Sequence, residues 1–199
     1  MHLQKLSSKK LALASILGAL AAASEVIKGP PFDIPFPLLP GIISWDLTGI
    51  PMMISLLMNG PLGGVYTSII GCSIIFLRGN VPGGFFKLVA ELATILAFAA
   101  IRKGIVTKTV AAVASRVLVM TAANFFLLPV FYPAYYSSET AVIAILLPLA
   151  VFNVTQALLN IIPAYAIYSR LPSRWRLATE ESPKIPFQNS EISKILPSR

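Results

Sequence analysis

Charged residues are scarce in this sequence of 199 residues: they make up 12% of the chain, whereas 56% of the residues are hydrophobic. A soluble domain carries roughly twice that share of charge. The charged residues gather at the two ends and in short gaps, and the apolar runs between them approach the roughly 20 residues that a membrane-spanning helix needs. These runs lack the alternation of polar and apolar residues that is typical of strands. A helix forms its backbone hydrogen bonds within itself, as the interior of a bilayer requires. The sequence therefore predicts an all-α integral membrane protein.

Cysteine and histidine are nearly absent, since each occurs once, as Cys72 and His2. One thiol cannot form an internal disulfide, and there is no His/Cys cluster for zinc, haem or an iron–sulfur centre. Because the only histidine lies outside the predicted bundle, a serine or cysteine nucleophile would have no histidine base. A phosphate loop for ATP is also missing. We therefore expect no metal, no cofactor and no enzymatic activity, and we predict a binding protein.

Six apolar segments are separated by breaks rich in proline, glycine and charge. We predict a bundle of six transmembrane helices within residues 1–170, followed by a polar, disordered cytoplasmic tail at 171–199. Residues 29–41 contain five prolines, which exclude a regular helix, and their apolar content predicts a stiff loop folded over the mouth of the bundle. The helices are predicted at residues 11–26, 46–58, 62–77, 85–101, 105–131 and 140–168.

The start of the chain has the basic residues and the alanine-rich stretch of a signal peptide. We expect this stretch to be retained as the first membrane helix, and cleavage after residues 21–23 is the alternative.

Lysine and arginine set the expected orientation of the helices. With six spans, both termini and the gaps after the second and fourth helices lie on one side of the membrane. Most of the basic residues lie on that side. The other side has only Lys28 and Arg78, with Lys87 just inside the fourth helix. We therefore predict a multi-pass cell-membrane protein with both termini cytoplasmic. Basic residues that flank the membrane helices account for the net charge of +8. This charge therefore does not indicate nucleic acid binding, and we expect no nucleic acid partner.

Polar side chains recur at helical spacing within three of the predicted spans. Ionisable groups are costly in a bilayer and are therefore functional candidates, and spacings of three, four and seven residues place each set on one face. We predict a substrate pocket near the outer end of the bundle, where these faces meet the proline-rich loop. The alternative is a scaffolding protein without a ligand, in which the same groups only join helices through hydrogen bonds. The candidate substrate-binding residues are Phe36, Asp46, Lys87, Glu91, Thr121, Asn124, Asn153 and Gln156.

The first helix carries small residues at every fourth position, Ala14, Gly18 and Ala22. Such a pattern lets another helix approach closely. Because the predicted binder has no motor of its own, we predict that this face docks a membrane partner.

Several stretches together resemble the substrate-binding S components of energy-coupling factor vitamin transporters, and most closely their riboflavin-specific branch. The resemblance covers about residues 11–170. It is carried by FPLLP at 36–40, WDLTGIP at 45–51, GPLGGV at 60–65, VMTAANFFLLP at 119–129, and Phe152 and Asn153 with Gln156.

The resemblance implies a six-helix binder without enzymatic activity that captures a vitamin at the outer face. It also implies assembly with a transmembrane coupling protein and two cytoplasmic ATPases, riboflavin as a transported ligand rather than a cofactor, and flavin contacts at Asn124, Asn153 and Gln156. The chain departs from the riboflavin branch at Gln156, where that branch usually has lysine, at Gly49, and at Gly71-Cys72. Another vitamin or small metabolite is therefore the alternative substrate.

Overall fold

The computed structural model describes residues 7–27 and 29–172, which form six helices and one small hairpin. His2, Lys28 and the predicted tail from residue 173 onward lie outside the described residues. The six predicted helices are confirmed with small shifts of their ends. The helices are α1 (Ser8–Val26), α2 (Gly49–Asn59), α3 (Pro61–Leu77), α4 (Val81–Ala100), α5 (Ile105–Phe131) and α6 (Glu139–Arg170).

The segment between α1 and α2 contains two short strands that the sequence analysis did not predict, β1 (Asp33–Pro35) and β2 (Ser44–Asp46). They pair antiparallel, with Asp33 opposite Asp46. The prediction that α2 begins at residue 46 is therefore wrong, because Asp46 is held in the hairpin ladder and the helix begins at Gly49.

The start of α4 also differs from the prediction, since the helix begins four residues earlier, at Val81. The side chain of Asn80 accepts a hydrogen bond from the Gly83 backbone N–H at 3.0 Å and caps the helix. Pro82 is compatible with this first turn because the first N–H groups of a helix have no partner within it.

Among the described residues, three helices are long and apolar enough to cross a membrane, namely α4, α5 and α6. The 11 residues of α2 rise only about 16 Å, which is shorter than the bilayer hydrocarbon of about 30 Å. The number of spans therefore stays a prediction.

The helices pack in two groups, which meet where α3 packs against α4 and where α2 packs against α6. The first group is α1, α2 and α3, in which α1 lies closely against α3 and the fully buried Met52 and Met53 of α2 fill the interior. In the second group, α5 and α6 form an antiparallel pair joined by residues 132–138. A polar interior lies between α4, α5 and α6, and this arrangement positions the site described next.

Candidate ligand-binding site

A cavity of about 680 Å³ lies between α4, α5 and α6, beneath the β1–β2 segment, with edges formed by α1 and α3. Cavities of about 300 to 1,000 Å³ are usual for small-molecule sites. Aromatic rings contribute much of its wall. Phe86 comes from α4, Phe152 from α6, and Tyr132 and Tyr136 from the turn between α5 and α6. The cavity is therefore suited to a small molecule with a flat apolar part.

One face of α5 forms the long wall of the cavity. Arg116, Met120, Asn124 and Leu128 recur at every fourth position, and all are buried and line the cavity. The helical rise places Arg116 about 18 Å below Leu128. On the antiparallel α6, Asn153 pairs with Arg116, because its Oδ1 accepts from Arg116 Nε at 3.1 Å. The polar floor of the cavity is therefore formed by Arg116 and Asn153.

The β1–β2 hairpin is bound to α6 by a set of polar bonds. The Gln156 amide bonds both backbone groups of Asp46: it accepts from Asp46 N at 3.2 Å and donates to Asp46 O at 2.8 Å. Trp45 Nε1 donates to Thr155 Oγ1 at 2.9 Å. The ring of Phe36 packs edge-on between Trp45 and Phe152, with centroid distances of 5.1 and 5.5 Å. The hairpin is thereby fixed above the cavity.

Two ion pairs join residues from different parts of the cavity wall. Lys87 of α4 pairs with the Asp46 carboxylate of the hairpin, and Arg78 pairs with Glu25 at 3.1 Å. Burial by itself would raise the pKa of Asp46, but the Lys87 ammonium and hydrogen bonds from Thr48 outweigh it and hold that pKa below its ordinary value. The Asp46 carboxylate therefore stays ionised at neutral pH, and its contribution to stability is lost only as the pH falls through its lowered pKa.

Arg116 is the functional candidate that the sequence analysis missed. The residue is 1% exposed, and its Nη1 donates to Glu91 Oε1 at 3.0 Å and to Thr94 Oγ1 at 3.3 Å. Asn160 Nδ2 donates to both carboxylate oxygens of Glu91 at 3.1 Å. A signal for Arg116 was present, because it is a lone charge within the apolar run of α5, eight residues before Asn124 and so on the same face.

The structure brings half of the predicted substrate-binding residues to the cavity wall. Glu91 and Gln156 are fully buried outside the lining, where Glu91 balances Arg116 and Gln156 holds the hairpin. Phe36 is buried beneath the hairpin, and Thr121 is partly exposed on α5 away from the cavity. The predicted residues that line the cavity are Asp46, Lys87, Asn124 and Asn153.

The small residues of α1 do not form the predicted docking face as a set. Ala14 and Gly18 are buried, and Thr67 of α3 donates a hydrogen bond to Ala14 O at 3.0 Å. A Cβ atom on Gly18 would lie 2.8 Å from Ile70 Cβ. Gly18 is therefore needed for the close approach of α3 within the bundle, and Ala22 is only half-buried. The exposed side of α1 instead carries Ala12, Ile16, Ala19, Leu20 and Ala23.

The departures from the riboflavin branch at residues 49 and 71 are consistent with local packing. A Cβ atom on Gly49 would lie 1.9 Å from the Asn160 amide, and one on Gly71 would lie between Met52 and Ala21, at 2.6 and 2.8 Å. Neither glycine lines the cavity. Side chains at these two positions would have to displace the neighbours that occupy the space.

Among the described residues, no group of three or more His, Cys, Asp or Glu side chains could hold a metal ion. The polar groups of the cavity are suited to hydrogen bonding with a ligand.

Comparison with known proteins identifies one family. The family model described as "ECF transporter, substrate-specific component" matches residues 9–168. A solved structure described as "Structure and mechanism of the S component of a bacterial ECF transporter" is similar with a TM-score of 0.68 at 23% identity, over 81% of this chain and 94% of that chain. This likeness shows the shared fold. No curated protein sequence matches the chain.

Proposed function

Because the chain belongs to the substrate-specific components of ECF transporters, we propose that it captures a vitamin, riboflavin, at the outer face of the membrane for ATP-driven uptake. Components of this family are membrane transport subunits rather than enzymes, and they bind a transported substrate rather than a cofactor. They work with a transmembrane coupling component and ATPases.

The observation that carries the proposal is the cavity beneath the hairpin, with its aromatic wall and its buried amides. A flavin ring can stack on rings such as Phe86 and Phe152. The edge of the ring and its hydroxylated side chain can bond Asn124 and Asn153, because small-molecule sites combine an apolar wall with a few placed polar groups. Another vitamin or small metabolite with a flat ring is the alternative substrate.

The proposed assembly includes one coupling protein and two cytoplasmic ATPases, with both termini of this chain in the cytoplasm. For the docking surface we propose the exposed side of α1, where Ala12, Ala19 and Ala23 lie. Small residues on a helix surface allow a second helix to approach closely in a bilayer.

Titration of the purified protein with riboflavin, followed by quenching of flavin fluorescence, tests the substrate. Saturable quenching is the expected result. Absence of saturable quenching would reject riboflavin, and a screen of other vitamins by thermal stabilisation would then identify the substrate. A protein that no vitamin stabilises would favour the scaffolding alternative.

A further inference from the structure

Arg116 has hydrogen-bonding capacity that its protein partners do not use. A guanidinium carries five N–H donors. Nε donates to Asn153, and Nη1 donates to Glu91 and Thr94. Within the described part of the chain no hydrogen bond or ion pair from Nη2 is formed, so its two N–H groups remain, and Arg116 is itself part of the cavity wall. The floor of the cavity therefore offers a fixed pair of donors to whatever occupies it.

The charges around the cavity decide what kind of acceptor fits there. Glu91 lies behind the guanidinium and compensates its charge. Lys87 is paired with Asp46, and Arg78 is paired with Glu25. The charged side chains on the wall are three basic and three acidic: Arg78, Lys87, Arg116, Glu25, Asp33 and Asp46. Among the described residues of the wall, positive charge is not in excess, and an additional anion at the floor would be buried without compensation, which is unfavourable.

We propose that Arg116 determines the specificity of the cavity by donating from Nη2 to a neutral carbonyl oxygen at the buried end of the ligand. This rests on the proposed function only in that the cavity holds the transported substrate. The buried end of the ligand is an amide, imide or ureido group rather than a carboxylate or phosphate. Charged or strongly hydrated parts of the ligand lie toward the hairpin.

A purely structural role of Arg116, joining α4, α5 and α6, is the competing explanation. The double variant E91Q/R116Q separates the two, because it removes both charges together and keeps side chains that can bond each other. We expect its thermal unfolding midpoint in detergent to stay near that of the parent, and its affinity for riboflavin to fall by about tenfold or more. Parental affinity in the folded double variant would overturn the inference.

Two further variants complete this experiment. If E91Q/R116Q does not fold, Arg116→Lys keeps a cation opposite Glu91 but removes Nη2, and the same loss of affinity is expected. Thr94→Val is the matched control, since it removes a partner of Nη1 on the side away from the cavity. Its affinity should stay within about twofold of the parent.

A second measurement does not depend on riboflavin. Nicotinamide and nicotinate have the same shape, and they differ in that one carries a neutral amide and the other a carboxylate. We expect nicotinamide to raise the unfolding midpoint of the parent more than nicotinate does. In the variant Glu91→Gln, the unbalanced Arg116 should reverse this preference. A parent that prefers nicotinate, or that neither compound stabilises, would overturn the inference.

The two measurements distinguish failure of the inference from failure of the proposed substrate. Riboflavin binding that survives in both E91Q/R116Q and Arg116→Lys keeps the substrate and rejects the role of Arg116. Absence of riboflavin binding together with the expected nicotinamide preference rejects riboflavin and keeps the role of Arg116.

Discussion

Of the two buried amide side chains that line the cavity, that of Asn124 makes fewer hydrogen bonds to the protein. Its Nδ2 donates to Met120 O at 2.6 Å in its own helix, and no described residue contacts its Oδ1. Asn153 differs, because its Oδ1 already accepts from Arg116 and its Nδ2 donates to Leu149 O. The same residue type therefore has two roles: Asn124 presents a free acceptor to a ligand, and Asn153 also orients Arg116.

We predict that Asn124→Ala weakens riboflavin binding by about 1 to 3 kcal/mol, the usual cost of leaving a buried polar partner unsatisfied. Asn153→Ala should cost at least as much, because it also frees Arg116 Nε. Titration of flavin fluorescence measures both. Thr121→Val is the control on the same helix, since Thr121 lies outside the cavity and its change should have no effect. Saturable binding that neither asparagine change weakens would place the ligand elsewhere.

The spacing of polar residues predicted several of the buried polar groups, among them Glu91, Asn124 and Asn153, but not the function of each. The spacing placed Lys87 and Glu91 on one face of α4, and Asn153 and Gln156 on one face of α6, since side chains three or four residues apart are neighbours on a helix. The pairing of those faces is a tertiary property. That Glu91 faces Arg116 rather than the cavity, and that Gln156 binds the hairpin, follows from contacts between segments 25 or more residues apart, and spacing contains no information about them.

The hairpin is the element with the most direct control of access to the cavity. Its attachment depends on polar bonds to α6 and on the Lys87–Asp46 pair, and two three-residue strands are not stable by themselves. The proline-rich sequence indicated a stiff loop over the mouth, and the structure places a hairpin there. Proline positions could not reveal the β1–β2 pairing, because strands this short have no periodic pattern.

We predict that Gln156→Leu releases the hairpin, because the backbone N–H and C=O of Asp46 lose their side-chain partners. Amide hydrogen exchange within residues 33–46 should become faster, while exchange within α5 stays unchanged. Thr155→Val is the comparison variant, because it removes only the single hydrogen bond to Trp45. Its effect on exchange should be smaller than that of Gln156→Leu. Unchanged exchange in Gln156→Leu would show that the aromatic contacts of Phe36 suffice to hold the hairpin.

The two sides of α1 should respond differently to the same bulky substitution. Gly18→Leu places new atoms against Ile70, and overpacking of this kind costs about 1 to 3 kcal/mol, so the unfolding midpoint should fall in the isolated protein. Ala19→Leu introduces the same side chain on the exposed side and should leave stability unchanged while weakening assembly with the coupling component. Co-purification measures assembly. Equal stability losses in the two variants would contradict this assignment of faces.

At the scale of the whole molecule, the six helices, their order and most of their ends were predictable from apolar length and proline breaks. The face of α1 that packs inside was not, since small residues occur on both sides of the helix and only the contact with α3 distinguishes them. The orientation of the bundle in the membrane is predicted by the positive-inside bias.

We predict that a cysteine at position 104 is labelled only from the cytoplasmic side, and one at position 137 only from outside, because basic residues flank α5 at its start. The native Cys72 is fully buried in α3, so it should contribute little background in Gly104→Cys and Ser137→Cys. Impermeant thiol reagents applied to intact cells measure the labelling. Labelling of position 104 from outside would reverse the proposed topology.

The position of Trp45 has a practical consequence for spectroscopy. The chain has two tryptophans, Trp45 and Trp175, so Trp175→Phe leaves a single indole, in the hairpin. That indole donates to Thr155 and lies against Phe36, and separation of the hairpin from α6 would expose it to water and shift its emission to longer wavelength. Separation of the hairpin from α6 would therefore be followed in real time by intrinsic fluorescence, without an attached dye.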